Sequence, residues 1–331
     1  MIKIYSNILF LILIFISFGC KSKTEYNESK NKVKIDGMVW IPGGIYQQGA
    51  SINDKMALPH EKPSHNVKVD GFYMDVTEVT NNQFSKFVDA TNYVTTAERP
   101  IDWALIASQL PEGTPKPNDS ILQPGSLLFK KTKTTVPNLY DFSQWWKWSI
   151  GANWKQPNGI GSTIIGKENH PVVHISFQDA KEYCKWAGRR LPTEAEWEYA
   201  TQAGNLVENS NSVLAELRDQ AWFEMTSQNL GSAAVVGQRQ PNAWGLYDLQ
   251  GNVMEWTTDW YAPYDQAKLQ DPKGPEAPPN PAYPKKVARG GAWQGLFGRA
   301  TEAGLRSSRR YNLAAWTQAF NLGFRCAADA L

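Results

Sequence analysis

The densest group of chemically useful side chains lies in residues 245–256, GLYDLQGNVMEW. This stretch brings together Asp248, Gly251, Asn252 and Glu255. Hard oxygen donors gathered around a glycine that lets the backbone turn inward suit a hard cation such as calcium. The spacing is not that of an EF-hand loop, so that motif lends the reading no support. An acidic turn with solvated carboxylates uses the same residues, and the twelve positions alone do not separate the two.

Other chemistry has weaker footing. The four histidines are His60, His65, His170 and His174. His170 and His174 fall in HPVVHIS, which reads as a short buried strand. On a strand their spacing puts both rings on one face but about 13 Å apart, too far to share a metal. His60 and His65 flank Pro63 in a loop, and no arrangement of two histidines with one carboxylate stands out for iron. No G-x-S-x-G nucleophile elbow is present. Arg299, Arg306, Arg309 and Arg310 are candidates to line a groove for an anionic or acidic partner, or to be paired internally. Arg325 reads as framework.

These residues need elements to hold them. The chain has 331 residues, 42% hydrophobic and 20% charged, enough for a sizeable core in one large domain or two ordinary ones. A net charge of +2 with no basic run gives no argument for nucleic acid. The 14 tryptophans gather near turns rather than at helical spacing, which favours a loop-rich fold knitted by aromatic rings. Three S/T-x-x-E/Q/D starts predict helices: Thr80 with Gln83, ahead of Phe84, Phe87 and Val88; Ser176 with Asp179, ahead of Ala180, Cys184 and Ala187; and Thr193 with Glu196, running to about Gly204. Residues 38–44, residues 67–74 with a turn at Asp70-Gly71, and Val287-Ala288-Arg289 read as strands. Residues 98–170 are proline-rich and irregular, yet Trp145, Trp146, Trp148 and Trp154 predict that they are packed down.

The N-terminus reads as a targeting segment. Lys3 precedes an apolar run at residues 8–18, too short to span a membrane, and a small residue then meets Cys20. This resembles a bacterial lipoprotein cleavage box, with residues 1–19 as signal peptide, Cys20 lipidated, and residues 20–36 as a flexible tether. The implied location is the cell envelope, lipid-anchored to a membrane and facing periplasm or exterior. Cys184 and Cys326 then remain, as one disulfide or as two buried thiols. A disulfide would close a long loop, for which the chain-entropy account gives roughly 4–5 kcal/mol.

Several motifs occur together and in order: MVWIPGG, VDGFYMDVTEVTNNQF, WWKWSIGANWKQPNGIGS, HPVVHISFQDAKEYCKWAGRRLPTEAEWEYA, NAWGLYDLQGNVMEW, DPKGP, RGGAW and NLGFRCAAD. They resemble the formylglycine-generating enzymes, or sulfatase-modifying factors, across residues 37–331. The resemblance implies a mixed α+β fold related to C-type lectins, loop-rich with little regular secondary structure. It implies structural calcium on the side chains of Asp248 and Glu255 and the carbonyls of Gly251 and Val253, with Asn252 left as a turn or supporting residue. It joins Cys184 to Cys326. A further calcium site in the family uses an asparagine in an A-N-x-W run, which here reads Asp219-Gln220-Ala221-Trp222 and does not match.

The chemistry departs from the pattern. Enzymes of this family oxidise a sulfatase cysteine to formylglycine with oxygen and copper(I), held by two cysteines shortly after RGGS. Here no cysteine lies between Arg289 and Arg325, and Ala292 replaces the serine. Soft copper(I) wants thiolates, so the usual copper centre is not expected. Two readings follow. One is a divergent sulfatase-maturation protein acting on a sulfatase or cysteine-containing peptide, an oxidoreductase if it is active. The other is a non-catalytic envelope protein that binds a peptide, a sulfatase or a sulfated glycan.

Overall fold

Each of the three expected helix starts is built from a reciprocal capping box. The computed structural model describes residues 34–107, 112–130, 142–204, 217–223, 226, 231–294 and 302–330. Residues 1–33, with Cys20 and most of the expected leader and tether, and Arg299 lie outside the described residues. Strand β1 (Met38–Ile41), β2 (Gly44–Gln48), β3 (His65–Val69) and β4 (Phe72–Asp75) lead into helix α1 (Asn81–Thr91). There the Thr80 hydroxyl accepts from Gln83 N–H and the Gln83 side chain accepts from Thr80 N–H. Caps of this kind contribute about 1 kcal/mol each. A short α2 (Trp103–Ala107) and strands β5 (Gly125–Phe129) and β6 (Trp146–Ile150) follow. Ser176 then caps α3 (Phe177–Trp186) and Thr193 caps α4 (Glu194–Gln202). The chain ends through β7 (Met254–Trp260), β8 (Lys285–Arg289), α5 (Glu302–Leu305), β9 (Tyr311–Ala314), β10 (Leu322–Gly323) and β11 (Ala327–Asp329).

The strands pair in small sheets. β4 runs between β1 and β11, antiparallel to both. A second sheet has the order β10-β7-β8-β9, with the β10–β7 pair parallel. β2 pairs with β3, and β5 with β6. Helices α1 and α3 bury Phe84, Phe87, Ala180 and Tyr183 against Trp154, Trp256 and Phe324. The Cys184–Cys326 disulfide is fully buried in that cluster, 142 positions closed by one bond. The architecture is α+β, rich in loops and joined by aromatic contacts.

Two expected strands come out differently. Residues 67–74 are not one strand. β3 and β4 belong to separate sheets, and the chain changes sheet at Asp70-Gly71, where Gly71 packs so closely on the Trp40 indole that a side chain would collide. Residues 170–176 form no strand beyond an isolated bridge between Thr80 and Pro171. Their amides bond elsewhere: Val172 N to Val79 O, His174 N to Ala319 O and Ser176 N to the Asp179 side chain. The apolar run is buried because loops surround it, not because a ladder pairs it. In the described part of 98–170, Trp145 and Trp154 are buried as expected, and the region carries the β5–β6 pair.

Candidate functional site

The 245–256 stretch turns sharply and then enters β7. Asp248 and Asn252 adopt left-handed backbone angles (φ 58° and 52°), and Gly251 has φ 113°. A side chain at Gly251 would run into the Trp222 carbonyl, which instead accepts from Asn252 N–H at 2.9 Å. Glycine is therefore required there both for its backbone angle and for the close approach. The turn buries its polar groups: Asp248 is 2% exposed, Asn252 and Glu255 fully buried.

Each buried side chain has a distinct partner set. Asp248 Oδ2 accepts from Gly237 N–H at 2.6 Å, while its Oδ1 is buried with no hydrogen-bond partner. Asn252 Oδ1 accepts from Ala234 N–H at 2.9 Å, and its Nδ2 donates to Glu78 Oε1 at 3.0 Å. Glu78 Oε2 is also buried with no hydrogen-bond partner, and its nearest ion pair is to Arg325 at 4.0 Å. Glu255 is held closely: the Arg325 guanidinium donates to both oxygens at 2.8 Å, and the Trp197 indole N–H adds a third bond at 2.8 Å. Arg325 also donates to Tyr247 O and Asp75 O, which makes it framework as the sequence reading has it.

Glu78 and Glu255 thus both face the Arg325 guanidinium. Burial pushes the carboxyls of Glu78 and Asp248 above their usual range, and the charge of Asp248 pushes Glu78 further. Arg325 and, more weakly, Arg239 oppose the rise at Asp248. Two carboxylates left with spare buried oxygens can hold a cation or share a proton. A cavity of about 10 Å³, room for one water-sized guest, opens beside Asp248 against Gln220, Asn242 and Gln250. Among the described residues no three His, Cys, Asp or Glu side chains converge as metal ligands. Any cation at Asp248 would draw on at most one further carboxylate, with backbone carbonyls and water as its other donors, as hard cations do.

The arginine segment is arranged differently. Arg306 pairs with Asp54 at 2.6 Å and Glu61 at 2.7 Å, and Arg309 pairs with Glu61 at 2.9 Å. Arg310 forks onto Glu194 at 2.6 and 2.8 Å, and Arg289 pairs with Glu198. Arg306 and Arg310 are buried in these pairs rather than presented on an open groove. The histidines are dispersed. His174 is buried and held near pKa 4 by loss of solvent, its Nε2–H donating to Pro157 O at 2.8 Å and its Nδ1 facing Ser126 Oγ at 2.7 Å. His60 meets Tyr261 Oη at 2.6 Å, and His65 rests on the Tyr264 ring. Ala292 is buried where β8 ends.

The sulfatase-modifying factor enzyme 1-like domain matches residues 23–330. The chain belongs to this family. The mouse formylglycine-generating enzyme is 35% identical over 307 residues, covering 89% of this chain and 75% of the relative. The Mycobacterium tuberculosis formylglycine-generating enzyme is 36% identical over 313 residues, covering 88% and 97%. A mouse relative named inactive C-alpha-formylglycine-generating enzyme 2 is 31% identical over 302 residues, covering 88% and 86%. Among solved structures, PvdO from Pseudomonas aeruginosa matches with a TM-score of 0.58 at 22% identity, covering 88% of this chain and 94% of its own. Treponema denticola variable protein 1 matches at 0.54 and 20% identity, with the same coverage. These two likenesses concern the fold alone.

Of the family-derived features, the structure puts Asp248 and Gly251 in one turn, Glu255 at the start of the strand that follows it, and closes Cys184 on Cys326. Glu78 was missed by sequence reasoning. It lies 174 positions from the Asn252 side chain that holds it, and in DVTEVT it reads only as one more surface acid ahead of a helix.

Proposed function

We propose that this protein serves sulfatase maturation from the cell envelope, anchored by lipid at Cys20, and engages cysteine-bearing sulfatase segments without the family's copper–thiolate oxidation. The cysteine inventory carries this reading. Of three cysteines, two form the Cys184–Cys326 disulfide and the third precedes the domain. The segment after Gly290-Gly291 offers Ala292 and no thiol. A soft copper(I) ion has no thiolate pair to bind there. The mouse relative carrying "inactive" in its name supports the idea that this fold is kept without the oxidation. A half-buried aromatic group, with Phe320 against Trp146 at 5.6 Å and Trp293 at 5.7 Å, borders the rewritten segment and supports a binding role.

Calcium in this reading is structural. It takes Asp248 and Glu255 with the carbonyls of Gly251 and Val253, and the spare Oδ1 of Asp248 suits such an ion. The ion would supply positive charge to a turn with surplus carboxylate. The chain's own residues do the rest: Asn252 pins the 233–234 segment, and Trp197 and Arg325 orient Glu255. A kinship with C-type lectins accords with a calcium-stabilised, loop-rich binding scaffold.

The test is to mix the protein with a peptide carrying C-x-P-x-R, copper and oxygen, and to follow peptide mass and binding together. The expected outcome is saturable binding with the cysteine unchanged. Conversion of the cysteine to the aldehyde would overturn the non-oxidative reading, and absence of both binding and conversion would overturn the link to sulfatases.

A further inference from the structure

We propose that a cavity walled by the DPKGP loop (residues 271–275) binds the ring of a neutral sugar. Among the described residues its lining includes none of the 245–256 turn, so the inference stands apart from the calcium reading.

The cavity lies where the end of β2, the start of α4 and the end of β7 meet, and its volume is about 150 Å³. A drug-sized ligand site is larger, roughly 300–1,000 Å³, so a single small ring is the largest guest. The DPKGP wall is fastened on two sides. Asp259 accepts from Gly274 N–H and from Glu194 N–H, and a side chain at Gly274 would run into the Trp260 carbonyl. On the other side Asp271 N–H donates to Lys68 O, and Asp271 Oδ1 accepts from Asp70 N–H at 2.7 Å. The wall is therefore in place before any ligand arrives, which lowers the cost of binding.

The polar groups left open inside are neutral. Gln48 is 3% exposed, and among the described residues no hydrogen bond engages its carboxamide. Tyr264 keeps its Oη buried without a hydrogen-bond partner. The inner charges are already met: Arg310 forks onto Glu194, and both oxygens of Asp259 hold backbone amides. At the surface Lys268 faces Asp265 at 3.9 Å, and Lys273 is exposed, where solvent screens it. A buried carboxamide and phenol without partners are costly, and they call for a guest that both donates and accepts. Trp260, Pro272 and Pro275 add an apolar wall. A sugar ring offers both surfaces, hydroxyls for the carboxamide and phenol and carbon–hydrogen faces for the aromatic and proline rings. The competing arrangement is a cavity that holds only water.

The full chain, labelled with nitrogen-15, is titrated with the methyl glycosides of glucose, galactose, mannose and N-acetylglucosamine. The Gln48 side-chain amide and the Gly274 backbone amide are followed by NMR. At least one glycoside should shift both signals saturably. Binding should be about tenfold weaker in Gln48→Leu, which keeps the bulk and loses the donor and acceptor. If none of the four sugars moves either amide, the cavity holds only water and the proposal fails. Shifts confined to other residues, or wild-type affinity in Gln48→Leu, also overturn it. Should Gln48→Leu not fold, Ala262→Phe, at a half-buried position on the cavity wall, takes up the space of the guest. It should abolish the shifts, and undiminished binding there places the sugar elsewhere and overturns the assignment.

Discussion

Two buried charge clusters meet at Trp197, whose ring lies 5.5 Å from the Arg289 guanidinium and whose N–H bonds Glu255. On one side Arg289, Arg306, Arg309 and Arg310 face Asp54, Glu61, Glu194 and Glu198, so cations and anions match. On the other side Glu78 and Glu255 share Arg325, and Asp248 feels its charge. The first cluster is closed framework, because a buried guanidinium fork and a carboxylate satisfy one another. The second carries surplus negative charge and two spare oxygens. Charge balance, more than residue type, separates framework from candidate site here.

Four measurements test that difference, ordered from the largest effect. Glu194→Ala strands Arg310, which is 2% exposed and would keep the His60 carbonyl and the Tyr261 and Tyr264 rings but no anion. The expected loss is about 3–5 kcal/mol by urea unfolding. A loss under about 1 kcal/mol, the scale of an exposed pair, would remove the claim that this cluster is closed framework. Calcium at a hundredfold excess over its dissociation constant should stabilise the wild type by about 2.7 kcal/mol. Asp248→Asn should lose most of that gain and Glu194→Ala should keep it. The reverse pattern would move the cation to the arginine side.

The third measurement concerns Asp259, at the edge of the closed cluster, which accepts from the Glu194 and Gly274 amides. Burial, with the charge of Glu194 added, pushes its carboxyl up to about 6. A raised acid holds its proton more tightly when folded, so its ionisation costs stability above about pH 6. That cost fades as pH falls toward the unfolded value near 4, a span of about 2–3 kcal/mol. Carboxyl-carbon NMR should give a midpoint near 6, and a midpoint near 4 would refute this. The smallest effect is expected from Arg309→Ala, whose side chain is 18% exposed and whose partner Glu61 keeps Arg306. A loss of about 1 kcal/mol is expected by thermal melting, and a loss as large as that of Glu194→Ala would show that the cluster acts as one indivisible unit.

Much of the local structure was legible. Thr80, Ser176 and Thr193 announce their helices because a capping box is a three-residue interaction, and the observed starts follow them. The cysteine count left a disulfide as one of two outcomes, and the buried bond is that outcome. The strands were less legible. HPVVHIS has strand composition, yet its amides bond to two separate loops, at Val79 and Ala319, and to the cap of the following helix. The arginines looked like a candidate groove because their carboxylates, Asp54 and Glu61 among them, come from some 250 positions away. No spacing rule reaches that far.

The sequence by itself determined the helix caps, the family motifs, the turn that needs Gly251, and the loss of the thiolate pair. All of these rest on residue identity or near-neighbour spacing. Only the tertiary structure decided which charges are spent and which are spare. It paired Arg306, Arg309 and Arg310 with distant acids, committed Glu255 to Arg325 and Trp197, and brought Glu78 to the Asn252 side chain. Burial and pairing are properties of the folded surroundings, and the same carboxylate is a solvated acid, a framework partner or a cation ligand according to them.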